Sequence, residues 1–282
     1  MSGVRELERI TLRPGLGLRL EDPFGGALGS GLKVTATPPD SGMPPQRLQP
    51  TPSGHWVAHG LPGLRGWENA ETGDPLALAR EFEIKVEDPQ ARVLPTRFRL
   101  TLPQNRLARL RCPGPLPGDP PIEHFPIPLF ATPARPAPAH WACLRASLRE
   151  LPLADPDKAA PAAWALLEVR QGATLLARGM ADARGELMVC FAYPEPADAG
   201  GVARSAFDHQ WPLTLTVRYQ RQPSESIPLL CALLAQPACQ IARSVAGAPP
   251  APVLGADLPV SLRYGQPLAA ATPGARALFV QP

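Results

Sequence analysis

A chain of 282 residues can hold two domains of ordinary size, each burying its own core. With 44% hydrophobic and 19% charged residues it is not a charge-driven disordered chain, and a net charge of +3 demands no polyanionic partner. The 39 prolines exclude long helices, because proline inside a helix costs about 3 kcal/mol, and favour short strands joined by stiff loops.

In chain order, residues 1–104 read as a first β domain. Leu7–Thr11 is a candidate opening strand, and Leu16-Gly-Leu-Arg-Leu20 alternates as a second. Asp22-Pro-Phe-Gly-Gly-Ala-Leu-Gly-Ser-Gly31 is turn chemistry before a strand at Leu32–Thr37. Phe82, Ile84 and Val86 alternate with Glu83, Lys85 and Glu87, the pattern of a half-buried strand, and Phe98-Arg-Leu-Thr-Leu-Pro103 closes the unit. Residues 105–138, with Pro113-Gly-Pro-Leu-Pro-Gly-Asp-Pro-Pro121, are expected to form a stiff spacer whose tail, Pro126–Phe130, packs on something.

A second β domain is expected over 139–221, with strands at Cys143–Leu148, Trp164–Val169, Thr174–Met180, Glu186–Tyr193 and Leu213–Tyr219. Residues 222–282 are too few for a third core and read as a C-terminal arm, packed on its own domains or on another subunit. Ile227–Ala235 is its short-helix candidate, followed by strand-like Leu258–Tyr264 and Ala277–Pro282.

The two halves repeat one pattern. Leu32–Thr37, Ser53–Gly63 and Glu81–Pro89 correspond to Ala165–Arg170, Ala183–Pro196 and Trp211–Tyr219. Gly54 falls against Gly185 and Ile84 against Leu215, each 131 residues apart. Each copy is a strand, a glycine turn opening a second strand, a loop and a third strand, as a small β-sandwich is wired.

Five scattered cysteines (Cys112, Cys143, Cys190, Cys231, Cys239) do not form an even framework, so reduced thiols and a reducing compartment are expected. The charged start Met-Ser-Gly-Val-Arg-Glu-Leu-Glu-Arg predicts no export signal, and no run approaches the ~18 apolar residues of a membrane span. Localisation is therefore expected to be cytoplasmic.

No constellation for catalysis stands out. His55 and His59 lie on a strand-like stretch, where i and i+4 sit about 13 Å apart, too far to share a zinc. The run Gly25–Gly31 lacks a P-loop Gly-Lys-Ser/Thr and precedes a strand rather than a helix. There is no Gly-x-Ser-x-Gly, His-Glu-x-x-His or Cys-x-x-Cys, and Asp155, Asp157, Glu186 and Glu195 read as solvated loop carboxylates. Arg97, Arg99, Arg106, Arg109 and Arg111 are the one basic cluster, with only Phe98 as a nearby aromatic, which fits a wet strand face better than a nucleic-acid surface. Trp56, Trp67, Trp141, Trp164 and Trp211 read as core or interface packing before sugar stacking. The expectation is no catalytic, cofactor or metal site.

The unit Ser53–Leu64 followed by Phe82–Pro89, and its second copy Ala181–Val189 with Leu213–Tyr219, resembles the prealbumin-like or carboxypeptidase-regulatory-like sandwich family. That resemblance implies non-catalytic scaffolding or adhesion modules. Leu61-Pro-Gly-Leu-Arg65 with Arg92–Phe98, then Arg178–Gly185 and Tyr193-Pro-Glu-Pro196, is similar to accessory proteins of bacterial contractile, phage-tail-like injection systems, which are baseplate- or sheath-associated structural parts.

Together these readings predict an all-β protein of two immunoglobulin-like or prealbumin-like β-sandwiches, a proline-rich linker and an extended arm. Its expected role is a non-catalytic part of a contractile particle that contacts other protein subunits, with no nucleic acid, no membrane insertion and no cofactor. The alternatives are a module recognising a receptor, glycan or peptide through loops at one sandwich end, and an enzyme whose site is assembled across domains.

Overall fold

The computed structural model describes residues 14–26, 28, 30–39, 41–69, 79–114, 118–151, 159–195, 209–222, 227–244 and 252–282. The expected strand at Leu7–Thr11, and the carboxylates Asp155 and Asp157, lie outside the described residues. The chain is mostly β, with several antiparallel and mixed sheets and no barrel. Among the described residues, no helix is long and apolar enough to cross a membrane.

The first half holds β1 (Leu16–Glu21), β2 (Lys33–Thr37), β3 (Gln46–Arg47), β4 (Gln49–Pro50) and β5 (His55–Ala58). A one-turn helix α1 (Arg65–Glu68) follows, then β6 (Arg80–Glu87), β7 (Thr96–Leu102), β8 (Leu110–Cys112), β9 (Ile122–His124) and β10 (Ile127–Pro128). The second half holds β11 (Trp141–Glu150), β12 (Leu166–Gln171), β13 (Thr174–Met180), β14 (Glu186–Ala192) and β15 (Gln210–Arg218). After α2 (Leu230–Leu234) come β16 (Gln240–Ser244), β17 (Val253–Gly255), β18 (Leu258–Arg263), β19 (Leu268–Ala270) and β20 (Leu278–Gln281).

The two halves share a strand order. One sheet runs β3-β2-β6-β7 in the first half and β13-β12-β15-β18 in the second. In the other sheet, β1 lies between antiparallel β5 and parallel β10, while β11 lies between antiparallel β14 and the parallel strands β19 and β20. Period-two alternation decides which residues meet: Leu16, Leu18 and Leu20 of β1 join Val34, Phe82, Ile84 and Phe98 in one apolar core. Leu144, Leu148, Leu167, Val169, Leu187, Val189, Leu213 and Leu215 form the second.

The repeated glycines do the same work in both halves. Gly54 and Gly185 have φ of 77° and 81°, which L-residues adopt only under strain. Gly54 N–H donates to the Thr51 carbonyl and Gly185 N–H to the Asp182 carbonyl, both at 3.0 Å. Thr51 Oγ1 accepts from His55 N–H at 3.1 Å, as Asp182 Oδ1 accepts from Glu186 N–H at 3.0 Å. Each turn thus fixes where its strand enters the sheet.

Two expectations are corrected. The stretch 105–138 is not a spacer: Ala108, Leu110, Cys112, Ile127, Leu129 and Phe130 are buried in the first core, and β10 adds to β1. Among the described prolines of this stretch, only Pro128 lies in a strand, the edge strand β10. The stretch 222–282 is not an arm either. β18 completes one sheet beside β15, β19 and β20 extend the other from β11, and Ile241, Leu258, Leu278 and Val280 lie in the second core. The helix expected over Ile227–Ala235 forms at Leu230–Leu234, and it docks on the first half, where Leu230 and Leu233 are buried.

That docking carries a third correction. Cys112 and Cys231 form a disulfide across 119 residues, so these two cysteines are not reduced thiols, whereas Cys143, Cys190 and Cys239 are free. Around the junction, Trp164, Leu166 and Met180 of the second half join the first core. Buried Gln236 donates to the Trp164 carbonyl at 2.9 Å and accepts from Gln220 N–H at 2.9 Å. Glu168 of β12, almost fully buried, meets Arg170 at 2.9 Å, Arg178 at 3.1 Å and Arg218 at 3.3 Å. Burial opposes its ionisation, but the Arg170 hydrogen bond and the charges of Arg178 and Arg218 outweigh that and hold its pKa below the ordinary value.

A Cβ on residue 185 would lie 2.4 Å from the Leu148 carbonyl oxygen, on top of the positive φ. Gly185→Ala should therefore lower unfolding free energy by about 2 kcal/mol or more in urea denaturation, and an unchanged midpoint would contradict the turn's role. Because the folded Glu168 pKa is depressed, its contribution is full above the unfolded value of about 4.5 and is lost as pH falls through the lower folded value. The stability difference between wild type and Glu168→Gln should shrink across that acid window; a difference independent of pH counts against the network.

Candidate functional site

On β7 the apolar residues Phe98, Leu100 and Leu102 point into the core, so Arg97, Arg99 and Thr101 point outward. On β8 the same alternation buries Leu110 and Cys112 and exposes Arg111. The connecting turn is pinned by Gln104, whose Oε1 accepts from Arg109 N–H at 3.1 Å and whose Nε2 donates to the Thr101 carbonyl at 3.3 Å. The Cys112–Cys231 bond then brings Leu229 and Cys231 alongside.

These pieces line a groove of about 720 Å³ along β7, bordered by Arg99, Arg106, Arg109 and Arg111, with Leu229 and Cys231 also in its lining. Among the described residues β7 ends its sheet, and only the single bridge from Arg97 to Leu229 lies on its outer side. The arginine cluster singled out in the sequence is thus gathered along one sheet edge.

Its charge is partly met by carboxylates. Glu123 of β9 accepts from Arg109 at 2.9 Å and from Arg111 at 2.9 Å, with Arg106 at 3.9 Å. The Arg109 hydrogen bond, followed by that of Arg111, holds the Glu123 carboxyl below its usual range. Arg99 lies 3.5 Å from Glu81 and 3.9 Å from Glu83, and Arg97 is 3.6 Å from Glu83. Five arginines against three carboxylates leave an excess of positive charge. Beside the groove, Phe125 is 39% and Ile122 49% exposed, and Arg109 stacks 5.5 Å from the Phe125 ring.

Guanidinium groups with exposed aromatic and aliphatic neighbours suit contact with a carboxylate-bearing protein surface, because Arg and aromatic side chains concentrate binding energy at interfaces. Cys231, the sulfur on the groove wall, is spent in the disulfide. Sequence reasoning found the arginines but missed Glu123 and the disulfide. Two three-residue strands give little pattern, and cysteine pairing cannot be deduced from spacing.

The other sequence candidates are dispersed. His55 Nδ1 lies 2.9 Å from Ser53 Oγ on an exposed turn. Trp56, Trp164 and Trp211 are buried, with Trp56 Nε1 donating to the Leu28 carbonyl at 3.3 Å. Gly25 and Gly26 occupy a turn closed by Gly25 N–H on the Asp22 carbonyl at 2.8 Å. Glu186 meets Ser147 at 2.8 Å and Arg149 at 3.4 Å. Among the described residues no cluster of His, Cys, Asp or Glu has metal-binding form. Comparison with family models, curated proteins and solved structures finds no match for this chain.

The carboxyl of Glu123, followed by NMR against pH, should titrate below an ordinary glutamate in wild type and move back upward in Arg109→Gln. A midpoint indifferent to that substitution removes the electrostatic account of the groove.

Proposed function

We propose that the chain is a non-catalytic assembly component acting through protein–protein contacts, with each half an immunoglobulin-like or prealbumin-like β-sandwich. The observation that carries this reading is the groove along β7: guanidinium groups border the outer edge of a terminal strand, next to exposed Phe125 and Ile122. A terminal strand offers backbone donors and acceptors, while arginines select a partner bearing carboxylates. Support for the sandwich reading comes from the matched strand order of the two halves and the shared apolar core between the sheets of each. Support for the setting, a phage-tail-like contractile particle, comes from the segments Leu61–Arg65, Arg92–Phe98 and Arg178–Gly185.

The test is to fractionate the native protein by size from its host, alongside a form carrying a photo-crosslinker in place of the exposed Ile122. Wild type should travel with a high-mass particle, the Ile122 form should give one discrete cross-linked subunit, and Arg111→Glu should shift the chain toward its free size of 30.1 kDa. A wild type that runs only as the free chain contradicts the proposal. Binding of that free chain to a glycan or peptide array would favour the recognition alternative.

A further inference from the structure

Cys143 and Cys190 lie on neighbouring antiparallel strands, β11 and β14, directly opposite each other in register. Leu148 N–H donates to the Gly185 carbonyl at 2.7 Å, and the register runs unbroken from there to Trp141. Bonded pairs recur every second residue, so 148–185, 146–187, 144–189 and 142–191 are the bonded ones and 143–190 falls between them. Opposed residues at such a position have Cα atoms about 4.5 Å apart, within the range a disulfide spans. Both thiols are free.

Alternation explains why the pair does not face the second core. Ala142, Leu144, Val189 and Phe191 point there, leaving Cys143 and Cys190 on the outer face of the sheet with Met188. That face is covered by Ala131 and Phe24 of the first half. The surroundings are cationic. Arg145, two residues on along β11 and on the same face, hydrogen-bonds Cys143, and the charge of Arg135 reaches Cys190. Arg135 lies 2.9 Å from Asp22 and 3.9 Å from the Phe24 ring centroid, and its Nη1 is buried with no hydrogen-bond partner among the described residues. The hydrogen bond from the Cys190 thiol, followed by the charge of Arg145, overrides burial and brings Cys143 down to about 7, while Cys190, which holds the proton, is pushed up. Both cysteines are buried, and each lines an open space: Cys143 a pocket of about 190 Å³ beside His140 and Tyr193, and Cys190 a cleft of about 360 Å³ beside His124 and Phe130.

We propose that Cys143 and Cys190 form a reactive dithiol, which a low-molecular-weight disulfide oxidises to a second, cross-strand disulfide with Cys143 as the attacking sulfur. In the first step the Cys143 thiolate attacks one sulfur of the small disulfide, forming a mixed disulfide and releasing one small thiolate. That thiolate takes the Cys190 proton. The Cys190 thiolate then attacks the Cys143 sulfur, forming the Cys143–Cys190 bond and expelling the second small thiol as its thiolate, which takes a proton from water. Two protein thiols are oxidised and one small disulfide is reduced to two thiols. Once Cys143 is in the mixed disulfide, the neighbouring negative charge that kept Cys190 protonated is gone, so the second step is eased by the first. The new bond fastens β11 to β14 under Ala131 and Phe24, where the two halves of the chain meet.

The experiment treats the full native chain with cystamine, blocks remaining thiols with iodoacetamide, and maps peptides by mass without reduction. Cys239 is the internal control, since it points into the second core and burial pushes its thiol up to about 12. Expected are a joined Cys143–Cys190 peptide, a Cys239 that is unmodified by cystamine, and, in Cys190→Ser, a cystamine half retained on Cys143. The proposal is overturned if wild type keeps Cys143 and Cys190 as free thiols, or if Cys239 reacts as fast as Cys143. It is also overturned if folded Cys190→Ser acquires no adduct. The wild-type map decides the matter even where a variant fails to fold.

Discussion

Between the two halves of the chain stands a ten-residue segment, Ile227 to Gln236, on which the packing of both depends. It leaves the second half, buries Leu230 and Leu233 in the first core, and is fastened there by Cys231 on Cys112. It returns through Gln236, whose side chain satisfies the Trp164 carbonyl and the Gln220 N–H inside the protein. A helix of five residues has no stability of its own. Its order comes from tertiary burial and from closing a loop of 119 residues, a link whose entropic contribution is on the order of 4–5 kcal/mol. The same fastening places Leu229 and Cys231 beside β7, so the groove with its arginines exists as a consequence of how the halves are joined.

The repeat was legible because its physical requirements are local. Gly54 and Gly185 each stand at a turn that needs a left-handed backbone and each opens a strand, β5 buried at alternate residues and β14 buried on both faces. The alternation of Phe82, Ile84 and Val86 is likewise a property of the segment itself. What completed each half was not local. β10 is two residues long, in proline-rich surroundings, and its identity as a strand rests on pairing with Leu20 and Glu21 over a hundred residues earlier. β19 and β20 pair in parallel with β11, and β18 reaches back to β15. Leu258–Tyr264 and Ala277–Pro282 read as strand-like, but the two-residue β10 has no periodicity and no segment names its distant partner, so the sequence looks like a linker and an arm.

The candidate site divides in the same way. Arg97, Arg99, Arg106, Arg109 and Arg111 are visible as a cluster in the sequence, and alternation about Phe98 and Leu110 says which of them face water. That they share a groove, and that Glu123 bridges Arg109 and Arg111, follows from the pairing of β8 with β9 and from the disulfide. The cysteines show the limit most clearly. Cys112 and Cys231 pair because the helix docks, whereas Cys143 and Cys190 oppose each other because of strand register, and neither relation can be read from spacing.

The measurement that tests this account most directly is amide hydrogen exchange on the Cys112→Ser/Cys231→Ser protein. If the disulfide and the burial of Leu230 and Leu233 together hold the halves, protection within Leu230–Leu234 should fall by about thirty- to nine-hundred-fold, as expected for losing roughly 2–4 kcal/mol. Protection in Arg80–Glu87 and Leu166–Gln171, inside the two cores, should fall only by the loss of global unfolding free energy, leaving the helix the less protected segment. A helix as protected as in wild type would show that the segment is held by something else and would contradict the account.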